Sequence, residues 1–158
     1  VLVCATLAVS PLRRLTGISA LLRLRRMLGL FACAYGCLHL STYVWFDQWF
    51  DWAAIGADIV KRPFIFAGFA AWLAMLPLAL TSTDAMMRRL GRRWGLLHRA
   101  VYGVAVLGVL HLWWHKAGKN DLFEPLVYAI VVALLLAWRM RARFGPAGAY
   151  RGSRRSSA

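Results

Sequence analysis

Four apolar stretches divide the chain, at about residues 26–46, 63–82, 94–114 and 124–140, with short polar or charged segments between them. They are too long for ordinary strands and show no sustained apolar–polar alternation, so the pattern predicts helices. A helix needs roughly 20 apolar residues to cross a hydrocarbon core of about 30 Å. The stretches approach or reach that length, with 124–140 the shortest. Pro63 and Pro125 stand at the starts of two of them, where a missing N–H costs nothing. Pro77 lies inside another and is expected to kink it, as membrane helices tolerate. The opening residues VLVCATLAVS are too few to span and lack the charged start of a signal peptide. The expectation is a chain that begins inside a helix, with at least part of one span missing.

Composition agrees with this class: 61% of the 158 residues are hydrophobic, where soluble domains average about half. Lys and Arg number 20 against 6 Asp and Glu, a net charge of +14. Such a charge alone would suit nucleic acid. Repeated apolar runs of bilayer length exclude that reading and make membrane lipid the partner. The arginines are also unevenly placed. Segments 11–26, 82–93 and 139 onward hold five, four and six. The alternate loops hold Lys61, Arg62, Lys116 and Lys119 with five of the six acids. The positive-inside rule puts the Arg-rich side, and the C-terminus, in the cytoplasm.

Trp45, Phe46, Trp49, Phe50 and Trp52 after one stretch, with Trp113 and Trp114 after another, mark the outer headgroup level. On the inner side Thr83 or Asp84 is placed to cap a short helix ending at Gly91. The organisation expected is one membrane domain over 1–140 and a disordered cytoplasmic tail over 141–158. Cys4, Cys33 and Cys37 read as small packing residues, and no CxxCH for covalent haem attachment occurs.

The candidate chemistry lies in the histidines. An ionisable group within a span is costly, which favours a functional reading. His98 and His111 lie 13 residues apart on one predicted helix, about 20 Å of rise, so they sit at two depths. His39 lies near the outer end of a different span running in the same direction, at the depth of His111. Two neutral imidazoles facing each other across a gap in a bundle suit axial ligation of a b-type haem. Zinc lacks a Cys, Asp or Glu at that depth to complete a tetrahedral set. Arg26 matches the depth of His98; it is either a contact to a haem propionate, standing where a second axial histidine would be expected, or a positive-inside anchor. His115, one turn beyond His111, reads as interfacial. No nucleophile–histidine–acid set, phosphate-cradling glycine loop or intramembrane acid is present. Hydrolase, nucleotide-binding and proton-pump classes are thereby excluded.

The stretches KRPFIFAGFAAWLAMLPLALTST, LGRRWGLLHRAVY, VLHLWWHK and RRMLGLFACAYGCLHLSTYVWFDQ resemble the MsrQ (YedZ) family. These are haem-binding membrane subunits of bacterial periplasmic methionine-sulfoxide reductase systems, within the ferric-reductase-like transmembrane group. The resemblance covers about residues 10–140. It implies an all-α bundle of six spans in the bacterial inner membrane, of which this chain lacks the first and part of the second. It further implies haem b on His39, His98 and His111, and FMN with no assignable residue. Electrons are implied to come from the quinone pool or a cytoplasmic flavin reductase. They are implied to pass to a periplasmic molybdopterin enzyme that reduces methionine sulfoxide and carries the catalytic site. The wider group pairs histidines on both ligand helices, whereas here Arg26 stands opposite His98; a second, inner haem is the less certain one. The alternatives are a self-contained transmembrane ferric reductase and a haem-free helical scaffold.

Overall fold

The computed structural model describes residues 1–144. Helix α1 (Leu2–Thr16) ends at Gly17, whose left-handed φ of 74° lets its N–H return to the Arg13 carbonyl at 2.9 Å. Helix α2 (Leu21–Thr42) follows and runs on into a π-helical turn, Tyr43–Asp47. It begins before the first predicted stretch, so Arg23, Arg25 and Arg26 are helical residues and not part of a preceding loop.

The chain then reverses through Trp49 and Phe50, both left-handed with φ of 47° and 63°. Bulky side chains rarely adopt that region, so neighbouring contacts must hold it. Asp58 supplies them, accepting from Tyr43 Oη at 3.0 Å and Gln48 Nε2 at 2.9 Å while pairing with Arg62 at 3.0 Å. Asp58 belongs to α3 (Trp52–Lys61), which starts where the Asp51 carboxylate accepts from the Ala54 N–H.

Helix α4 (Pro63–Leu80) opens on proline and carries Pro77 in its last turn. Helix α5 (Asp84–Leu90) is capped by the Thr83 hydroxyl and closes at Gly91. Helices α6 (Arg92–Leu97) and α7 (Ala100–Ala117) share one predicted span but are separated by a turn at His98 and Arg99. The Arg99 N–H bonds the Leu96 carbonyl, a 3₁₀ step within an otherwise α-helical ladder. Helix α8 (Phe123–Phe144) takes in residues 141–144 of the expected tail, and 145–158 lie outside the described residues. The protein is all-α, with no strand among the described residues. Among the described residues, four stretches are long and apolar enough to cross a membrane: Leu21–Asp47, Pro63–Leu80, Arg92–Ala117 and Phe123–Ala142.

Small side chains set the packing. Ala71 and Leu78 of α4 bury against Val104 of α7, while Leu7, Ala105 and Val132 join α1, α7 and α8. Small residues let backbones approach closely, the source of helix association in lipid. Many large apolar side chains, such as Phe31, Phe66 and Leu134, point outward.

The Arg-rich segments meet at one end. Arg26 pairs with Asp84, and Arg139 joins α8 to α1 and α7. Pro11, inside α1, has no N–H to give the Leu7 carbonyl four residues back. Arg139 Nη2 occupies that role at 3.0 Å and also reaches Ser10 Oγ, while Nη1 donates to Tyr102 Oη at 2.7 Å. At the opposite end Lys116 pairs with Asp121 and Glu124.

Candidate functional site

The four histidines divide between the two ends of the bundle, three at one end and His98 alone at the other. The outer group joins the last turn of α2, the start of α4 and the C-terminal half of α7. His39 and His111 approach with ring centres 6.1 Å apart and planes inclined at 77°. His111 Nδ1 lies 2.7 Å from the Phe64 carbonyl oxygen. A carbonyl can only accept, so Nδ1 carries the proton and Nε2 keeps its lone pair. A metal-ligating histidine is oriented in this way, its other nitrogen donating to a carbonyl.

His115 extends the group outward. Its ring lies nearly parallel to that of His111, with centres 6.4 Å apart, and Phe64 packs against it at 5.5 Å. The ring is exposed, in keeping with its expected interfacial position.

Two imidazoles that each hold a nitrogen roughly 2 Å from a shared metal have ring centres about 6 Å apart. The His39–His111 distance therefore fits the axial pair of a haem. Among the described residues no three His, Cys, Asp or Glu side chains converge as a bare metal site. A group needing only two protein ligands fits this donor set better than a tetrahedral ion.

The inner group centres on His98, in the turn between α6 and α7. Its ring stacks on Trp94, centres 3.9 Å apart, and Nδ1 meets the Trp94 carbonyl at 3.1 Å. Trp94 is itself fixed by donating from Nε1 to the Thr81 carbonyl at 2.9 Å. His98 Nε2 is buried and has no hydrogen-bond partner. A buried lone pair without a donor is costly, and a bound water, ion or ligand can satisfy it. His98 lines a cavity of about 80 Å³ together with Arg25, Arg26, Gly29 and Ser82.

Arg26 therefore shares a cavity with His98, as its depth predicted, but its guanidinium is also held by Asp84 at 2.6 Å. Arg25, not singled out in the sequence, lines the same cavity and is the less exposed of the two. Between the groups, Trp72 Nε1 donates to Cys37 Sγ at 3.3 Å, and all three cysteines are free thiols. Sequence reasoning also missed the Phe64 carbonyl and the break at His98. A carbonyl leaves no mark in a sequence, and nothing in LLHRAVY announces a turn.

The fold and site define an all-α membrane bundle in which neighbouring helices bring two imidazoles together. The family described as "Ferric reductase like transmembrane component" matches residues 1–109. Three relatives share the printed name "Protein-methionine-sulfoxide reductase heme-binding subunit MsrQ". That of Bordetella parapertussis is 57% identical over 152 residues, 95% of this chain and 74% of the relative. That of Herminiimonas arsenicoxydans is 52% identical over 147 residues, 89% of this chain and 67% of the relative. That of Azospira oryzae is 60% identical over 136 residues, 85% and 58%. The chain belongs to the MsrQ family of ferric-reductase-like transmembrane proteins. No solved structure matches it.

Proposed function

We propose that this chain is a membrane cytochrome b subunit that relays electrons outward to a periplasmic protein-methionine-sulfoxide reductase. The approach of His39 to His111, with Nδ1 of His111 on the Phe64 carbonyl, is the observation that carries the reading. His39 and His111 would hold haem b there, and it would supply one-electron chemistry. The protein's part is to orient His111 through the Phe64 carbonyl and so set its electron-donating strength.

His98 is the inner ligand in this scheme, with Arg26 contacting the same group from across the cavity. Donors that fit the scheme are the quinone pool or a cytoplasmic flavin reductase, and the acceptor is a molybdopterin catalytic subunit. The family resemblance adds FMN to the cofactor set. The gathering of Arg26, Arg139 and the 82–93 segment at one end supports an inner-membrane orientation with the C-terminus cytoplasmic.

Visible spectroscopy of the purified full-length protein tests this. A Soret band that shifts on dithionite reduction is expected, and His39→Ala and His111→Ala should remove the same component. Absence of a reducible Soret band would refute the haem; loss of different components in the two variants would refute the pairing.

A further inference from the structure

We infer that Gly68 is a positioning residue for His111, an inference that rests on the haem reading above. Gly68 lies on α4 one turn after Phe64. A Cβ at this position would stand 2.6 Å from His111 Nδ1, 2.9 Å from Cε1 and 3.3 Å from Cγ. Unstrained contacts between such atoms are about 3.5 Å or longer. The imidazole thus fills the space that any side chain at residue 68 would occupy.

The ring cannot simply step aside. The atom nearest to the added carbon is the one bonded to the Phe64 carbonyl at 2.7 Å. Helix α4 therefore presents two features to Nδ1: an oxygen that takes its proton, and a bare α-carbon that lets the ring come close enough. A side chain at 68 would lengthen the Nδ1–H bond to Phe64 and displace the His111 ring relative to His39.

Other glycines in the bundle differ. Gly29, Gly103 and Gly108 have open space where a Cβ would go. At Gly36 the nearest neighbour is Met75 Cε at 3.1 Å, the mobile end of a flexible side chain. The close approach at Gly68 is to a ring fixed by its own hydrogen bond.

The chemistry follows from the bond. An imidazole donating its Nδ1 proton to a carbonyl is a stronger electron donor through Nε2. Weakening that bond destabilises the ferric state more than the ferrous, so the midpoint potential rises.

The test compares Gly68→Ala with Gly108→Ala, on the same helix as His111, in the full-length haem-loaded protein in nanodiscs. Gly68→Ala is expected to weaken haem retention at the outer site about 10–100-fold. It should also move the midpoint potential positive and alter the low-spin electron paramagnetic resonance signature, while Gly108→Ala matches the parent. Parent-like retention, potential and signature in Gly68→Ala overturn the inference. His39→Ala and His111→Ala are measured alongside: if neither affects haem, the haem reading itself has failed. A measurement on the unmutated, reduced protein covers the case in which Gly68→Ala does not fold. With ¹⁵N-labelled histidine, the resonance lost in His111→Ala should include a protonated, hydrogen-bonded Nδ1; an unprotonated Nδ1 overturns the inference.

Discussion

Replacing Arg139 by Met tests whether this side chain substitutes for the donor that Pro11 lacks. Arg139 makes three side-chain bonds, to Tyr102 Oη, Leu7 O and Ser10 Oγ, and its guanidinium carbon lies 5.2 Å from the Tyr102 ring centre. Interhelical hydrogen bonds in membrane proteins average about 0.6 kcal/mol, so three are worth roughly 2 kcal/mol. Leaving the Leu7 carbonyl unsatisfied adds about 1–3 kcal/mol. Against this, Arg139 Nε is buried with no acceptor, and removing the cation relieves that cost. The net expectation for Arg139→Met is a loss of about 2 kcal/mol, read by reversible unfolding in mixed micelles.

The sharper measurement is the cycle with Pro11→Ala, which restores a backbone N–H to the Leu7 carbonyl. In the Pro11→Ala background, Arg139→Met should cost about 1 kcal/mol less than it does in the parent chain. Equal costs in the two backgrounds would show that Arg139 does not compensate for the proline, and the argument would fail. Tyr102→Phe serves as a check on the remaining bonds: it removes one partner of Arg139 and should leave the Pro11 coupling intact.

Two further outcomes follow from the histidine groups. His115→Ala should leave the reduced-minus-oxidised haem spectrum unchanged, because the ring only stacks on the outer face of His111 and Phe64; loss of the haem band would make it a ligand. Arg26→Ala removes an exposed ion pair and should cost less than about 1 kcal/mol. Its spectral effect should be confined to the component that His98→Ala removes, and a change in the His39–His111 component would refute the division into inner and outer groups.

How much was legible in the sequence depended on the kind of interaction. Apolar length and arginine placement are properties of side chains strung along the chain, and they located the spans and the gathering of positive segments at one end. Counting residues from a span's end sets depth, and depth alone placed His39 opposite His111. Rotation about the helix axis is another matter, since it depends on an unbroken 3.6-residue ladder. The turn at His98–Arg99 interrupts that ladder, so residue spacing alone does not set the angle between His98 and His111. Helix α3 was missed among the aromatic residues around it, although Asp51 three residues before Ala54 was a readable cap. Arg25 was passed over for Arg26 because depth cannot rank neighbours by burial. The Phe64 carbonyl and the space kept open by Gly68 are backbone features, and they emerge only when two helices are brought together.

The break at His98 has a mechanical consequence. A rigid rod through both histidine groups would act as a drive shaft: any twist that adjusted His111 against α4 would turn the inner imidazole by the same angle. The 3₁₀ hydrogen bond at the joint instead interrupts the α-helical ladder between the two ends. The Trp94 stack and carbonyl hold His98 from the α6 side, while Phe64 and Gly68 hold His111 from α4. Each imidazole therefore has its own anchors, on different helices.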